Sequence, residues 1–447
     1  MSKKMNIMTE GNILKAIVFF SLPLLGGSLI QQLYNTADMI FVGNFINKRA
    51  AAAVGASGLL FTCLIGLLTG VSVGVGIVVS QKIGAKDVSA ANKTAHTAIS
   101  FALLSGIILT IVGLIFSKKL LNIMNTPQEI MTEAVLYLKI YFLSMIPMIL
   151  YNMGSGIIRS SGNSKTPFYI LAIGGFLNVI ANAVFIILFK MGVAGVAIAT
   201  FISQSFTATL VIFYLFRNAS IIKLKLDSFK VDFSILKKIL YYGLPAGLQS
   251  MLITFSNIAV QYYINGYGGD AVAAYAMYFK LENFIWMPIV ALGQAMTIFS
   301  GQNTGAKNYV RLKKGTFLTT ILSCGVTVVI AFIILFFPTT FFRIFIKDKI
   351  VINLGLRIIF TTFPFYFLYS ILETMGASVR GMGYSITSMS IIIGVLCVFR
   401  IILLTIISRL NLGFQGVAFV YPITWFVTAV LFTVAFIKYV NKEIKGK

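Results

Sequence analysis

The chain has 447 residues, of which 58% are hydrophobic and only 11% charged, with a formal net charge of +24. Soluble domains carry roughly 25% charged residues, so this chain cannot cover its own surface against water and must have lipid as the solvent for much of it. The basic excess does not mark a nucleic-acid binder, because Lys and Arg fall between apolar runs, as with Lys223, Lys225 and Lys230, where anionic lipid heads are the natural partners.

A hydrocarbon core takes roughly 20 residues of helix, and runs of that length follow one another along the chain. A membrane barrel would instead show segments of about ten residues with alternating polarity, which 321–337 does not. The first run, 13–43, carries Pro23, Tyr34 and Asp38. Lys3 and Lys4 precede it, but it continues past Pro23 with no small-residue cleavage site, so no removable leader is expected. The second, 52–80, holds Phe61 and the glycines Gly66, Gly70, Gly74 and Gly76, which let helices approach closely. The third, 94–117, opens at His96, the only histidine, read as an interfacial residue. The fourth, 131–153, follows Glu129 and sets Glu133 in its first turn, where a helix N-terminus favours anions. It contains Lys139, close enough to an end to snorkel, and closes on Tyr151 and Met153. The fifth, 167–189, carries Asn178 and Asn182, and the sixth is 192–216.

The polar, basic stretch from Arg217 to Lys238 is the longest connection and reads as a linker between halves. The expected division is therefore an N-lobe 1–216, a linker 217–234 and a C-lobe 235–447. The seventh run is 235–264, with Pro245. The eighth, 271–301, carries Tyr275, Lys280, Glu282, Trp286 and Pro288. The ninth is 314–338; the tenth, 351–376, holds Pro364, Tyr369 and Glu373; the eleventh, 385–408, holds Arg400; the twelfth is 413–438. Cys63, Cys324 and Cys397 lie within runs without metal spacing and read as small apolar residues. Prolines inside spans permit kinks, although they are common in membrane helices.

With both ends inside, the tails and even-to-odd loops hold 23 of the 36 Lys and Arg, against about ten on the other side, which favours both termini in the cytoplasm. The two halves also repeat. Asn12 to Ala16 aligns with Ser234 to Lys238, and Pro23 with Pro245, at an offset of 222; from residue 49 on the offset is 221, pairing Gly84 with Gly305, Arg159 with Arg380, Gly162 with Gly383 and Gly192 with Gly413. Six spans per half make the repeats parallel, related by an axis along the membrane normal. The fold expected is an all-α membrane protein of twelve transmembrane helices in two pseudo-twofold-related six-helix lobes.

A charged side chain within a span costs roughly 2.5–3.5 kcal/mol on insertion scales and marks function by default. Asp38, Glu282 and Glu373 lie well inside spans. Tyr34 is one turn before Asp38, and Tyr369 one turn before Glu373, so each phenol shares its carboxylate's face. Carboxylate and phenol oxygens suit a hard cation, which makes Glu282, Tyr369 and Glu373 a candidate Na⁺ set; the carboxylates could equally carry a proton. An ion pair between Glu373 and Arg400 is the structural alternative.

On Leu22 and Pro23, Asn35 to Asp38 with Gly43, Gln81 to Ala85, Arg159 to Asn163, Leu177 and Asn178, Gly192 to Gly195, Gln302 to Ala306, and Arg380 to Gly383, the sequence resembles the multidrug and toxic compound extrusion (MATE) family, and its MepA-like bacterial branch most. The resemblance covers about 10–440. It implies two six-helix lobes of the MATE/MOP type in a bacterial plasma membrane, exporting bulky amphiphilic, often cationic compounds against inward Na⁺ or H⁺. It also implies that Asp38, Asn178, Glu282, Tyr369 and Glu373 occupy coupling positions. Where the family often has Asp, this chain has Asn182, which cannot take up a proton, so the N-lobe site would work through Asp38 and amide oxygens or coupling would shift to Glu282 and Glu373.

The mechanism expected is alternating access around a cavity lined by Tyr34, Phe61, Tyr151, Met153, Tyr275 and Trp286, since Met repacks and rings offer cation–π contacts, with Arg400 as a modulating charge. Small amphiphiles and membrane lipids are the expected partners, with no nucleic acid, no cofactor beyond the coupling ion, and a monomer as the working unit. A flippase or exporter of a lipid-linked or other specific metabolite is the alternative; it would need more deep cations than Arg400. An intramembrane enzyme would need a metal cluster or a Ser–Lys or Asp–Asp pair, which the sequence does not offer.

Overall fold

The computed structural model describes residues 8–46, 48–217 and 221–446. Lys3, Lys4 and the start of the linker at 218–220 lie outside them. The described residues form helices α1 (Ile13–Phe45), α2 (Lys48–Gly84), α3 (Val88–Ile123), α4 (Gln128–Leu143), α5 (Met145–Ser160), α6 (Lys165–Asn182), α7 (Gly192–Arg217) and α8 (Phe233–Asn265). The second half continues with α9 (Gly269–Gly305), α10 (Tyr309–Phe336), α11 (Pro338–Arg343), α12 (Lys349–Thr362), α13 (Tyr366–Gly381), α14 (Ser385–Ile392), α15 (Arg400–Arg409) and α16 (Gly413–Lys445). A wider π-helical turn extends α6 over Ala183–Leu188, and another joins α14 to α15 over Ile393–Phe399.

Ten of these helical stretches are long and apolar enough to cross a membrane, and α4 with α5, bent by 42°, make an eleventh. The expected seventh span is the 33-residue α8, which falls short on apolarity. The expected tenth is α12 and α13 joined through Phe363–Phe365 at Pro364.

The repeat is legible in the backbone. Gly162 and Gly383, paired in sequence, have φ of 86° and 99°, where a side chain on the residue would be strained. Lys86 and Lys307 are also left-handed, and the next residues, Asp87 and Asn308, cap α3 and α10 by accepting from Ala90 and Arg311 N–H at 2.9 and 3.1 Å.

Two compact units divide the chain, but not at the linker. One comprises Leu22–Leu244, the other Met8–Ser21 with Pro245 onward, so each changeover falls inside a helix beside a repeated proline, Pro23 in α1 and Pro245 in α8. In the N-terminal unit, Gly74 of α2 meets Gly243 of α8 so closely that a Cβ on Gly74 would lie 2.4 Å from the Ile239 carbonyl oxygen. The linker is docked: Ile222 and Leu224 are buried, Lys223 N–H donates to Asn92 Oδ1 at 2.8 Å, and Lys225 N–H donates to His96 Nε2 at 2.9 Å. His96, expected at an interface, is thus a buried fastener of the linker, its Nδ1 2.7 Å from the Asn92 carbonyl.

In the C-terminal unit the segment before α1 is held in the same manner. Met8 is buried with its N–H on Gln302, and Arg311 donates to the Met8, Glu10 and Gly11 carbonyls at 3.2, 2.8 and 2.8 Å. Hydroxyl pairs Thr316–Ser378, Thr320–Thr374 and Thr327–Ser370, at 3.0, 2.8 and 2.7 Å, join α10 to α13. The residues equivalent by the repeat in the other unit are Ala95 and Ile157, Ile99 and Met153, and Gly106 and Ile149, none of which has a polar side chain.

Candidate functional site

In the N-terminal unit, α6 carries Asn178 and Asn182 one turn apart, so both amides leave the same face. Asn182 Nδ2 donates to Asp38 Oδ1 on α1 at 2.5 Å and to Asn178 Oδ1 at 3.1 Å, and Asn178 Nδ2 reaches Ser203 Oγ on α7 at 3.4 Å. Asn178 and Asn182 are buried, and Asn182 Oδ1 is a buried acceptor without a partner among the described residues. A buried, unsatisfied carbonyl oxygen costs about 1–3 kcal/mol. Here it lies beside an aspartate with no cationic partner among the described residues. The π-helical turn begins at the next residue, Ala183, and such turns recur where a helix is re-aimed at a functional group. Carboxylate, amide and hydroxyl oxygens together can hold a hard cation, or Asp38 can hold a proton with Asn182 as its neighbour. Ser203, which sequence reading passed over, gave no signal beyond being a hydroxyl within a span.

The second carboxylate is Glu282 on α9, in the C-terminal unit. Tyr366, at the start of α13, donates a short hydrogen bond to its Oε1, and Tyr278, one turn before it on α9, donates at 3.4 Å. The i−4 spacing that pointed to Tyr34 and Tyr369 would have found Tyr278 as well; Tyr366 is brought in only by packing. Around them, Tyr275 and Tyr421 share a short hydroxyl–hydroxyl bond, and Trp425 lies against Tyr366 with ring centroids 4.6 Å apart. Glu282, like Asp38, has no ion-pair partner among the described residues.

The expected Na⁺ set is not joined into one cluster by hydrogen bonds. Tyr369 accepts from Trp286 Nε1 at 3.3 Å, while Glu373 pairs with Arg380, two turns along the same helix, at 2.7 Å. Arg380 therefore takes the place expected for Arg400. Gly293 of α9 makes room for the pair, since a Cβ there would sit 2.7 Å from Glu373 Oε1. Arg400, 3% exposed, instead reaches Ser256 Oγ and Asn257 Oδ1 with Nη1 and Thr424 Oγ1 with Nη2, at 3.3–3.4 Å, and lies 5.0 Å from the centroid of the Tyr421 ring.

The residues expected to line a cavity are placed unequally. Phe61 and Met153 are enclosed in the N-terminal core, Phe61 3.7 Å from the Tyr141 ring centroid, and Tyr275 is enclosed in the C-terminal core. In this structure all three are packing residues. Tyr34 is half-buried against Gly175, and half-buried Tyr151 donates to the Pro167 carbonyl at 3.4 Å. Trp286, 41% exposed, is the member of the set most open to a ligand.

A model of the MatE family matches the chain twice, over residues 23–184 and 245–406, beginning at the two prolines where the compact units change over. The chain is 30% identical over 388 residues to the probable multidrug resistance protein YoeA of Bacillus subtilis, covering 84% of this chain and 82% of that protein. It is 27% identical to the multidrug export protein MepA of Staphylococcus aureus, covering 86% of each. An outward-facing multidrug resistance MATE transporter of the MOP superfamily superposes with a TM-score of 0.93 over the full length of both chains, at 24% identity. The chain belongs to the MatE family of multidrug and toxic compound extrusion transporters, and is a multi-pass membrane protein.

Proposed function

We propose that this protein is an antiporter that exports amphiphilic, often cationic compounds in exchange for Na⁺ or H⁺ by alternating access, in a bacterial plasma membrane with both termini in the cytoplasm. The observation that carries the reading is that Asp38 and Glu282 are hydrogen-bonded by neutral groups and have no ion-pair partner among the described residues. A carboxylate with a permanent cationic partner, such as Glu373, has its charge already neutralised. One without such a partner must take its counter-ion from outside, so that a proton, a sodium ion or a cationic substrate can compete for it. The names of the curated relatives, which speak of multidrug resistance and export, favour the same substrate class.

The test is ethidium accumulation in cells expressing the wild type, Asp38→Asn or Glu282→Gln. Wild-type expression should lower accumulation, and each variant should restore it to the level of non-expressing cells at equal membrane abundance. If both variants export as well as the wild type, exchange does not run through these carboxylates.

A further inference from the structure

Of three buried or half-buried arginines in the C-terminal unit, two show what a satisfied guanidinium looks like and the third is not satisfied. Arg380 has a carboxylate at 2.7 Å, and Arg311 has three carbonyls within 3.2 Å. Arg400, the most enclosed at 3% exposure, has only neutral acceptors at 3.3–3.4 Å, and its Nε is buried with no partner among the described residues. The Ser256 hydroxyl donates to Leu396 O and that of Thr424 to Val420 O at 2.8 Å, so both oxygens face Arg400 as neutral acceptors only. No carboxylate lies within ion-pair distance of Arg400 among the described residues, and Glu282 Oε1 is engaged by Tyr278 and Tyr366. A guanidinium enclosed with no anion in ion-pair contact, Glu282 acting on it only from farther off, is a large cost, and its planar edge of Nε and Nη hydrogens matches the two oxygens of a carboxylate.

We propose that Arg400 is an anion receptor: with Ser256, Asn257 and Thr424 it binds a carboxylate group, entering beside the half-buried Asn257. The carboxylate belongs either to a small free anion or to a zwitterionic amphiphile. The second case rests on the export function proposed above and extends its substrates beyond simple cations.

The experiment uses the purified full-length protein in detergent, titrated calorimetrically with benzoate, with an amphiphile bearing both an amine and a carboxylate, with the methyl ester of that amphiphile, and with ethidium. Wild-type protein should bind at least one of the two carboxylates. Loss of a charged hydrogen bond predicts that Arg400→Gln weakens that binding by roughly tenfold or more. Because Arg400→Gln can also perturb folding, Asn257→Asp is the second variant. It places a carboxylate beside Nη1, so it should abolish carboxylate binding while leaving the melting temperature unchanged or raised.

Tight benzoate binding with no preference for the zwitterion over its ester identifies a free anion as the ligand; a zwitterion that loses affinity on esterification identifies the substrate's own carboxylate. Carboxylate binding that is absent in the wild type, or equal in wild type and both variants, overturns the proposal. Failure to bind or export ethidium alongside intact Arg400-dependent carboxylate binding would instead remove the multidrug reading and leave the receptor standing.

Discussion

Asp38 and Glu282 differ from Glu373 in one respect on which the proposed exchange turns. Glu373 lies 2.7 Å from Arg380, so its charge has a cationic partner on the same helix. Removing it should leave an enclosed cation unpaired, and Glu373→Ala should destabilise the protein by about 3 kcal/mol, the low end for a broken buried pair, because both partners keep some exposure. A fall in detergent melting temperature, absent in the double variant Glu373→Ala with Arg380→Met, checks this. Tyr366 is the residue-scale test on the exchanging side. Tyr366→Phe removes the hydroxyl that donates to Glu282 but keeps the ring against Trp425. It should alter the ion dependence of export while leaving the melting temperature close to wild type; an unchanged ion dependence would mean the bond is only structural.

At the scale of helices, close approaches are set by glycine. A Cβ on Gly381 would lie 2.6 Å from the Thr297 carbonyl oxygen and from Ser300 Cβ on α9, atoms that cannot swing aside. Gly381→Ala should therefore cost about 1–3 kcal/mol by overpacking, read as a lowered melting temperature. Gly74→Ala should do the same through the Ile239 carbonyl oxygen at 2.4 Å and Gly243 N at 2.6 Å.

The four glycines of the second span were visible in the sequence as a means of close approach, but not that Gly74 meets a glycine of α8, since that partner is 169 positions away. The same distance limit explains the site. Asn182 and Asp38 were both named from the sequence, and their hydrogen bond crosses 144 positions. Tyr278 was within reach at one helical turn from Glu282, whereas Tyr366 needed α13 to be packed on α9. Arg380 was also within reach, two turns from Glu373 on one helix, but Arg400 in the next span offers a second deep cation and sequence alone does not separate the two. Burial was the least legible property: Phe61, Met153 and Tyr275 look alike as cavity walls or as core, and only their neighbours decide.

Across the whole chain the repeat was the strongest sequence signal, because it needs only matched spacing. It survives in the backbone as left-handed residues at paired positions, Gly162 with Gly383 and Lys190 with Asn411. The unit boundaries were not legible. A polar linker suggests a cut at 217–234, yet its Ile222 and Leu224 are buried and the changeovers lie beside Pro23 and Pro245. The docked linker predicts that His96→Ala, which removes the acceptor for Lys225 N–H, raises protease cleavage within 221–230, with no change in cleavage elsewhere; equal cleavage in wild type and variant would mean the histidine does not fasten it.

The central claim is that counter-ion-free carboxylates exchange an inward-moving cation for an outward-moving drug. Purified protein reconstituted into vesicles, with imposed Na⁺ or H⁺ gradients and ethidium movement followed by fluorescence, tests it most directly. Gradient-driven ethidium exchange should appear in the wild type and vanish in Asp38→Asn and in Glu282→Gln, with facilitated equilibration at most remaining. Undiminished gradient-driven exchange in both variants would contradict the account.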